Sequence, residues 1–277
     1  PHGAPLLEDF DGRRRRAACR LRLAIRLERR RLVAAREPHV AAQFLDARLD
    51  GEPVRNWHRH LARASGVLSF KKKLGGSRGY LAVDGGLRYD NARSESPFVT
   101  ERISSGQTLI AIKDSQAEIA GRLGVARDLR PAYSEHPTVR LIAGAESDSL
   151  TAECLGFLET SDFTLTKDSD RMGFRLHGPI LQAVERPQMV SAAVCFGTVQ
   201  LLPNGQLIVL MADHQASGGY PRIGHVIAAD LPLVAQLGPG DAMRFSIVDI
   251  GVAEQAAARI ESDLNKLKAG LSLGRYR

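Results

Sequence analysis

The stretch Met211–Gly224, M-A-D-H-Q-A-S-G-G-Y-P-R-I-G, gathers an acid, an imidazole, an amide, a hydroxyl, a Gly-Gly pair and a Tyr-Pro pair. It follows the apolar run Leu207-Ile208-Val209-Leu210, which reads as a buried strand. A buried strand opening into a polar, glycine-rich loop places functional groups on a rigid base. Gly218-Gly219 permits positive φ and close approach of backbone to a ligand. Pro221 lacks an N–H and biases Tyr220 toward extended geometry, which stiffens the loop. The same residues also suit a tight turn between two strands, and composition leaves both readings open.

Working outward, the chain reads as mainly β. Val67–Phe70, Tyr80–Val83, Thr108–Ile112, Thr138–Ala143, Phe163–Lys167, Leu207–Ala212, His225–Ala228 and Met243–Val248 are strand candidates. They are short, bounded by Gly, Pro, Asn or Asp, and some alternate apolar with polar positions. Two helices are expected. Asp148–Glu159 opens with an Asp/Ser cap region and carries Leu150, Cys154, Leu155 and Leu158. Glu254–Lys268 places Ala257, Ile260, Leu264 and Leu267 at spacings of three and four, with Gly270 as its stop. Asp114–Pro137 lacks periodicity, contains Pro131 and Pro137, and reads as an interdomain linker. Many short strands in two blocks point to two β-barrel-like subdomains.

Charge is unevenly spread. The chain of 277 residues carries a net +7. Residues 1–73 hold 18 Lys+Arg against 8 Asp+Glu, while the remainder holds 20 against 23. The excess centres on Arg13–Arg36, with eleven arginines in twenty-four positions. Such an arm can bind nucleic acid or acidic lipid by counterion release. No aromatic residues interleave it, so it offers no stacking platform for single strands. A divergent structural segment, or a frame-shifted or decayed start, accounts for the same composition.

Hydrophobic content of 44% is ordinary for a globular protein. No run of about 18 apolar residues reads as a membrane span, and the start lacks a signal-peptide pattern. Cys19, Cys154 and Cys195 are widely spaced and odd in number, which indicates neither a disulfide frame nor a zinc site and suits a reducing cytoplasm. The eight histidines show no ligand spacing; His214 and His225, eleven apart, are read as core or surface residues, with a shared pocket as the alternative. No G-x-x-x-x-G-K-[ST] occurs, and Leu74–Gly79 reads as a hairpin turn into Tyr80–Val83 rather than a phosphate loop.

Ala212–Ile223 resembles the A-D-x-Q-T-T-G-G-Y-P-x-I signature of the biotin-dependent carboxyltransferase-like family. That family includes the C-type polypeptide of 5-oxoprolinase, the Kip inhibitor antagonist and allophanate hydrolase subunit 2. Three further blocks stand in family order: Ser169–Pro179, S-D-R-M-G-F-R-L-H-G-P; Gly197-Thr198-Val199-Gln200 with Pro203-Asn204-Gly205; and Ala229–Pro232 with Gln236-Leu237 and Pro239-Gly240-Asp241. Ser77–Gly86 resembles the family's S-R-A-Y-L-A-V-x-G-G, Leu45–Val54 fits the strand and turn that precede that block in the family, and ordinary family sequence resumes around Gln43. Four ordered blocks are far more specific than one glycine motif.

The resemblance implies two cyclophilin-like β-barrel subdomains with a few helices. The expected layout is an Arg-rich segment over 1–42 and a first, partial subdomain over 43–125. A second subdomain over 137–250 carries the signature loop, and a helix and tail fill 251–277. In an amide-activating site of this kind, Asp213 would act as base or orienter, with Gln215 and Tyr220 as hydrogen-bond partners. Arg171 would clamp a carboxylate, with Arg222 also on the substrate side. Gly218 and Gly219 would offer N–H groups to an oxyanion. A structural Asp170–Arg171 ion pair and an Asx-turn at Asp213 remain open. Ala216-Ser217 replaces the family's Thr-Thr, removing one hydroxyl.

The function implied is that of one component, inactive alone, of a cytoplasmic complex. With A-like and B-like partners it would open the cyclic amide 5-oxoproline to glutamate, with ATP used by the complex and no metal. Alternatives are a non-enzymatic antagonist of a kinase inhibitor and a carboxyltransferase component acting on urea-like amides. The latter would need a biotin carrier elsewhere, because no M-K-M motif occurs here.

Overall fold

The computed structural model describes residues 25–26, 32–33, 45–62, 66–82, 87–89, 109–111, 124–183 and 189–273. The chain divides into two compact units, Pro1–Pro131 with Asn265–Arg277, and Ala132–Leu264. Apart from Ile25–Arg26 and Leu32–Val33, which are short strands, the arginine-rich run lies outside the described residues.

In the first unit a four-stranded antiparallel sheet is ordered Ile25–Arg26, Val67–Lys73, Leu45–Leu49, Glu52–Pro53. Asp50-Gly51 connects its hairpin with φ of 52° and 87°. Two successive positive φ values match the right-handed strand twist, and Asp-Gly is the dipeptide that adopts them most readily. The Asp50 carboxylate also accepts the Val67 N–H at 2.7 Å, locking turn to sheet. Leu87–Tyr89 pairs with Leu109–Ala111, inside the expected Thr108–Ile112 strand. The expected strand at Tyr80–Val83 does not form over Tyr80–Ala82, and Val83 lies outside the described residues. Leu74–Gly79 is a bend instead of a hairpin turn. Aromatic and aliphatic residues favour a strand only when a neighbour supplies the ladder, and among the described residues none does.

The second unit is a closed seven-stranded barrel. Around the barrel the order is Phe163–Leu165, Gly173–His177, Leu207–Leu210, Thr198–Leu201, Arg222–Val226, Thr138–Ala143 and Ala242–Ile247. The last strand pairs back to the first. Only Thr138–Ala143 and Ala242–Ile247 run parallel; the other pairs are antiparallel. Closure leaves no exposed edge. Alternation aims Val139, Leu141, Met243 and Phe245 into the core, where the Phe163 and Phe245 rings pack 5.3 Å apart. Each such side chain contributes about 1.5–3 kcal/mol by leaving water.

The structure thus bears out the mainly β reading, and it also corrects several boundaries. The strands expected over Phe163–Lys167 and Leu207–Ala212 end at Leu165 and Leu210. His225–Ala228 is replaced by Arg222–Val226. The first helix begins at Ala152 rather than Asp148. Ser147–Ser149 forms a single 3₁₀ turn, buried Leu150 is extended, and the Thr151 hydroxyl caps by accepting the Cys154 N–H. The last helix runs Ile250–Leu273, straight through Gly270. Glycine costs about 1 kcal/mol in a helix but keeps its N–H, so alone it does not stop one. No helix of the described residues is long and apolar enough to cross a membrane.

Candidate functional site

The signature loop spans two barrel strands that are not neighbours. Leu207–Leu210 leads into it and Arg222–Val226 leads out, with Thr198–Leu201 between them. The loop is therefore a crossover above the end of the middle strand, not a hairpin turn. It is tied down on three sides. The Met211 and Asp213 N–H groups donate to the carbonyls of Met172 and Arg171 at 3.0 and 2.9 Å. Ser217–Gly218 pairs with Ala192–Ala193, and the Leu201 N–H donates to the Pro221 carbonyl at 2.9 Å. Neither Gly218 nor Gly219 has positive φ. Gly218 packs against the Gln200 amide: a Cβ there would lie 2.7 Å from Nε2 of Gln200, which would have to move.

Beneath the loop lies a polar cleft of about 370 Å³. Asp170, Arg175, Gln200, His214, Gln215 and Tyr220 are among its walls. A smaller, more apolar groove of about 160 Å³ lies beside it, lined by Leu181, Met189 and Gly219 among others. Leu202, Pro203 and Tyr220 border both.

Of the predicted site residues, Gln215 and Tyr220 are on the wall of the polar cleft. Asp213 and Arg171 instead hold each other. Arg171 Nε meets Asp213 Oδ2 at 2.7 Å and Nη2 donates to Oδ1 at 2.9 Å. Asp170 accepts the Met172 and Gly173 N–H groups through Oδ1, so it shapes the neighbouring turn. Arg222 is engaged by Glu146 through two side-chain bonds of 2.8 and 2.6 Å, and its own N–H also donates to that carboxylate. The paired guanidinium holds the Glu146 carboxyl below the usual range. Gly219 is exposed beside the apolar groove, while Gly218 is buried.

His214 and His225 do not share a pocket. His214 lines the polar cleft, with Nδ1 2.7 Å from the Gln215 carbonyl. His225 lies on its strand beside Thr198 Oγ1 at 3.1 Å and Cys195 Sγ at 3.7 Å. Burial, and then the Arg222 charge, push the His225 imidazole below its ordinary value.

Sequence reasoning singled out neither Gln200 nor Glu146 for the site. Gln200 is almost wholly buried at 1% exposure, and its Nε2 donates to the Tyr220 carbonyl at 3.2 Å. The Gly197–Gln200 block contained it, but two polar residues, Thr198 and Gln200, in a four-residue strand gave no local sign of burial. Among the described residues no three His, Cys, Asp or Glu gather as a metal site.

A family model for the carboxyltransferase domain, subdomains A and B, matches residues 24–247. The match begins inside the arginine-rich run, earlier than the resemblance legible from Gln43 onward. The C-type polypeptide of the 5-oxoprolinase of Haemophilus influenzae is 30% identical over 236 residues, spanning 83% of this chain and 75% of that protein. Its counterpart in Escherichia coli is 30% identical over 222 residues, spanning 77% and 69%. The crystal structure of the K. lactis urea amidolyase superposes with a TM-score of 0.74 at 19% identity, covering 88% of this chain. This chain spans only 16% of that much longer one, and the likeness speaks to the fold.

Proposed function

The chain belongs to the family of carboxyltransferase domains, subdomains A and B, and on that premise we propose that it is the C-type component of an ATP-dependent 5-oxoprolinase. The observation that carries this reading is the polar cleft under the signature loop, in a chain 30% identical to the C-type polypeptides of two such enzymes. At about 370 Å³ the cleft falls at the small end of ligand sites, which suits a five-membered lactam acid. Tyr220 can donate through its hydroxyl to a carbonyl. Gln215 and His214 supply further polar contacts, and Arg175 can meet a carboxylate at the rim. The Arg171–Asp213 pair braces the loop that presents these groups.

ATP fits poorly in this cleft. Its walls include Asp168 and Asp170, and the guanidinium forks of Arg171 and Arg222 are already engaged by carboxylates. Among the described residues Arg175 is then the single guanidinium on the cleft wall, enough for one carboxylate but not for the several charges of a triphosphate. On this reading the ATP is used by the complex, with its site outside this cleft. What this chain does is bind and orient the lactam for ring opening. A cytoplasmic assembly suits it, since the free thiols Cys154 and Cys195 stay reduced there.

The test is ATP-dependent glutamate release from 5-oxoproline by this chain combined with cognate A-like and B-like partners. Release that requires this chain and falls with Tyr220→Phe supports the reading. A stable assembly of all three polypeptides that releases nothing overturns it.

A further inference from the structure

Gln200 carries a feature that the loop alone does not explain. It sits on the barrel strand that the signature loop crosses, and its side chain is buried yet reaches the wall of the polar cleft. Its Nε2 donates to the Tyr220 carbonyl at 3.2 Å. That bond fixes the orientation of the amide, because the flipped group would set two carbonyl oxygens against each other. With Nε2 so committed, Oε1 is the remaining acceptor, and no described residue donates to it. On the cleft wall, Oε1 is free to accept from a group bound in the cleft.

The local backbone is built around this side chain. The register between Thr198–Leu201 and Arg222–Val226 shifts between Val199 and Gln200, with Val199 opposite Gly224 and Gln200 opposite Arg222. Such bulges re-aim a side chain and recur beside functional sites. Gly218 leaves the room the amide needs, since its missing Cβ would stand 2.7 Å from Nε2 and 3.4 Å from Oε1.

We propose that Gln200 Oε1 accepts an N–H of the ligand in the polar cleft and thereby selects cyclic amides over the corresponding lactones. The inference rests on the lactam reading of the cleft for its preferred substrate, but it concerns one atom of this chain. An ester ring oxygen placed there would face Oε1 with no proton between them. Sites built to hydrogen-bond a group discriminate strongly against analogues that lack it.

The experiment is a binding titration of the full chain with 5-oxoproline and 2-pyrrolidinone, each beside its lactone counterpart. Side-chain amide NMR of Gln200 serves as the second readout. The wild type is expected to prefer each lactam by at least about fivefold, with the Gln200 amide resonances moving on binding. Gln200→Leu should reduce the preference to near unity. Gln200→Glu retains an acceptor and should keep the preference while loosening the loop. Far-UV circular dichroism of both variants checks that the barrel is intact, and the Gln200 resonance test on wild type stands independently of either variant. An unchanged lactam preference in folded Gln200→Leu overturns the inference and leaves the 5-oxoprolinase reading standing. Gln200-dependent binding of 2-pyrrolidinone without binding of 5-oxoproline supports the inference and removes that reading. Binding of neither lactam, with unmoved Gln200 resonances, overturns the inference.

Discussion

Arg171 and Asp213, forty-two positions apart, meet in a two-pronged ion pair of 2.7 and 2.9 Å. The pair joins the turn entering Gly173–His177 to the start of the signature loop, in parallel with the Asp213 N–H bond to the Arg171 carbonyl. Both side chains are partly exposed, at 30% and 46%. The pair therefore sets geometry more than it adds stability.

Asp213→Ala and Arg171→Ala should each shift unfolding by no more than about 1 kcal/mol in urea titrations. Each should lower glutamate release by the assembled complex by roughly a hundredfold, through misplacement of the loop. If the two act as one brace, the double variant loses no more than either single variant. Additive losses in that double-mutant cycle would assign them separate roles.

Gly218→Ala and Gly219→Ala should part company. A methyl at 218 would lie 2.7 Å from Gln200 Nε2, whereas at 219 the nearest atom is the Ser191 hydroxyl oxygen at 3.7 Å. The first is expected to destabilise by about 1–3 kcal/mol and to disturb the Tyr220 carbonyl contact. The second should stay within about 0.5 kcal/mol. Thermal melts of the two variants decide this, and equal melting points would count against the close packing at Gly218.

Asp230 is the buried anchor of the barrel's far side. Its carboxylate is 4% exposed and accepts three bonds from Arg140, one from the backbone N–H and two from the guanidinium. Asp230→Ala strands these donors and should cost about 3 kcal/mol. Replacing Arg140 by Met in the same chain should recover part of that loss. Chemical denaturation of both variants measures it, and a loss under about 1 kcal/mol would refute the anchor role.

Acid should destabilise the second unit in two steps. His225 titrates below its ordinary 6.5 in the folded chain, through burial and Arg222, so the unfolded chain takes up that proton first. Stability is then full above about pH 6.5 and declines as pH falls through the folded value. Glu146 titrates below its ordinary 4.5 because Arg222 holds it, so a second decline begins as pH falls past 4.5. His225→Gln should remove the upper step, as read from urea midpoints against pH. A wild-type profile flat from pH 7 to 5 would contradict the assignment.

Much of this protein is legible before folding. Short apolar runs punctuated by Gly, Pro and Asp marked most barrel strands, because a period-two pattern is a local property of the chain. Thr198–Leu201 escaped as a strand because Thr198 and Gln200 are polar yet fully buried, which no local pattern announces. The last helix overran its expected stop because Gly270 weakens a helix without breaking it.

The signature loop shows where sequence ends and tertiary structure begins. Order and composition by themselves determined the mainly β class, the family blocks and the loop that walls the cleft, since these depend on neighbouring residues. Only the closed barrel decided which polar groups are spent on one another. Arg171 meets Asp213, Arg222 meets Glu146, and the amide of Gln200 reaches the Tyr220 carbonyl. These partners are twenty to seventy-six positions apart. Their pairing follows from strand order and register around the barrel, which arise from packing the whole core at once rather than from any one segment.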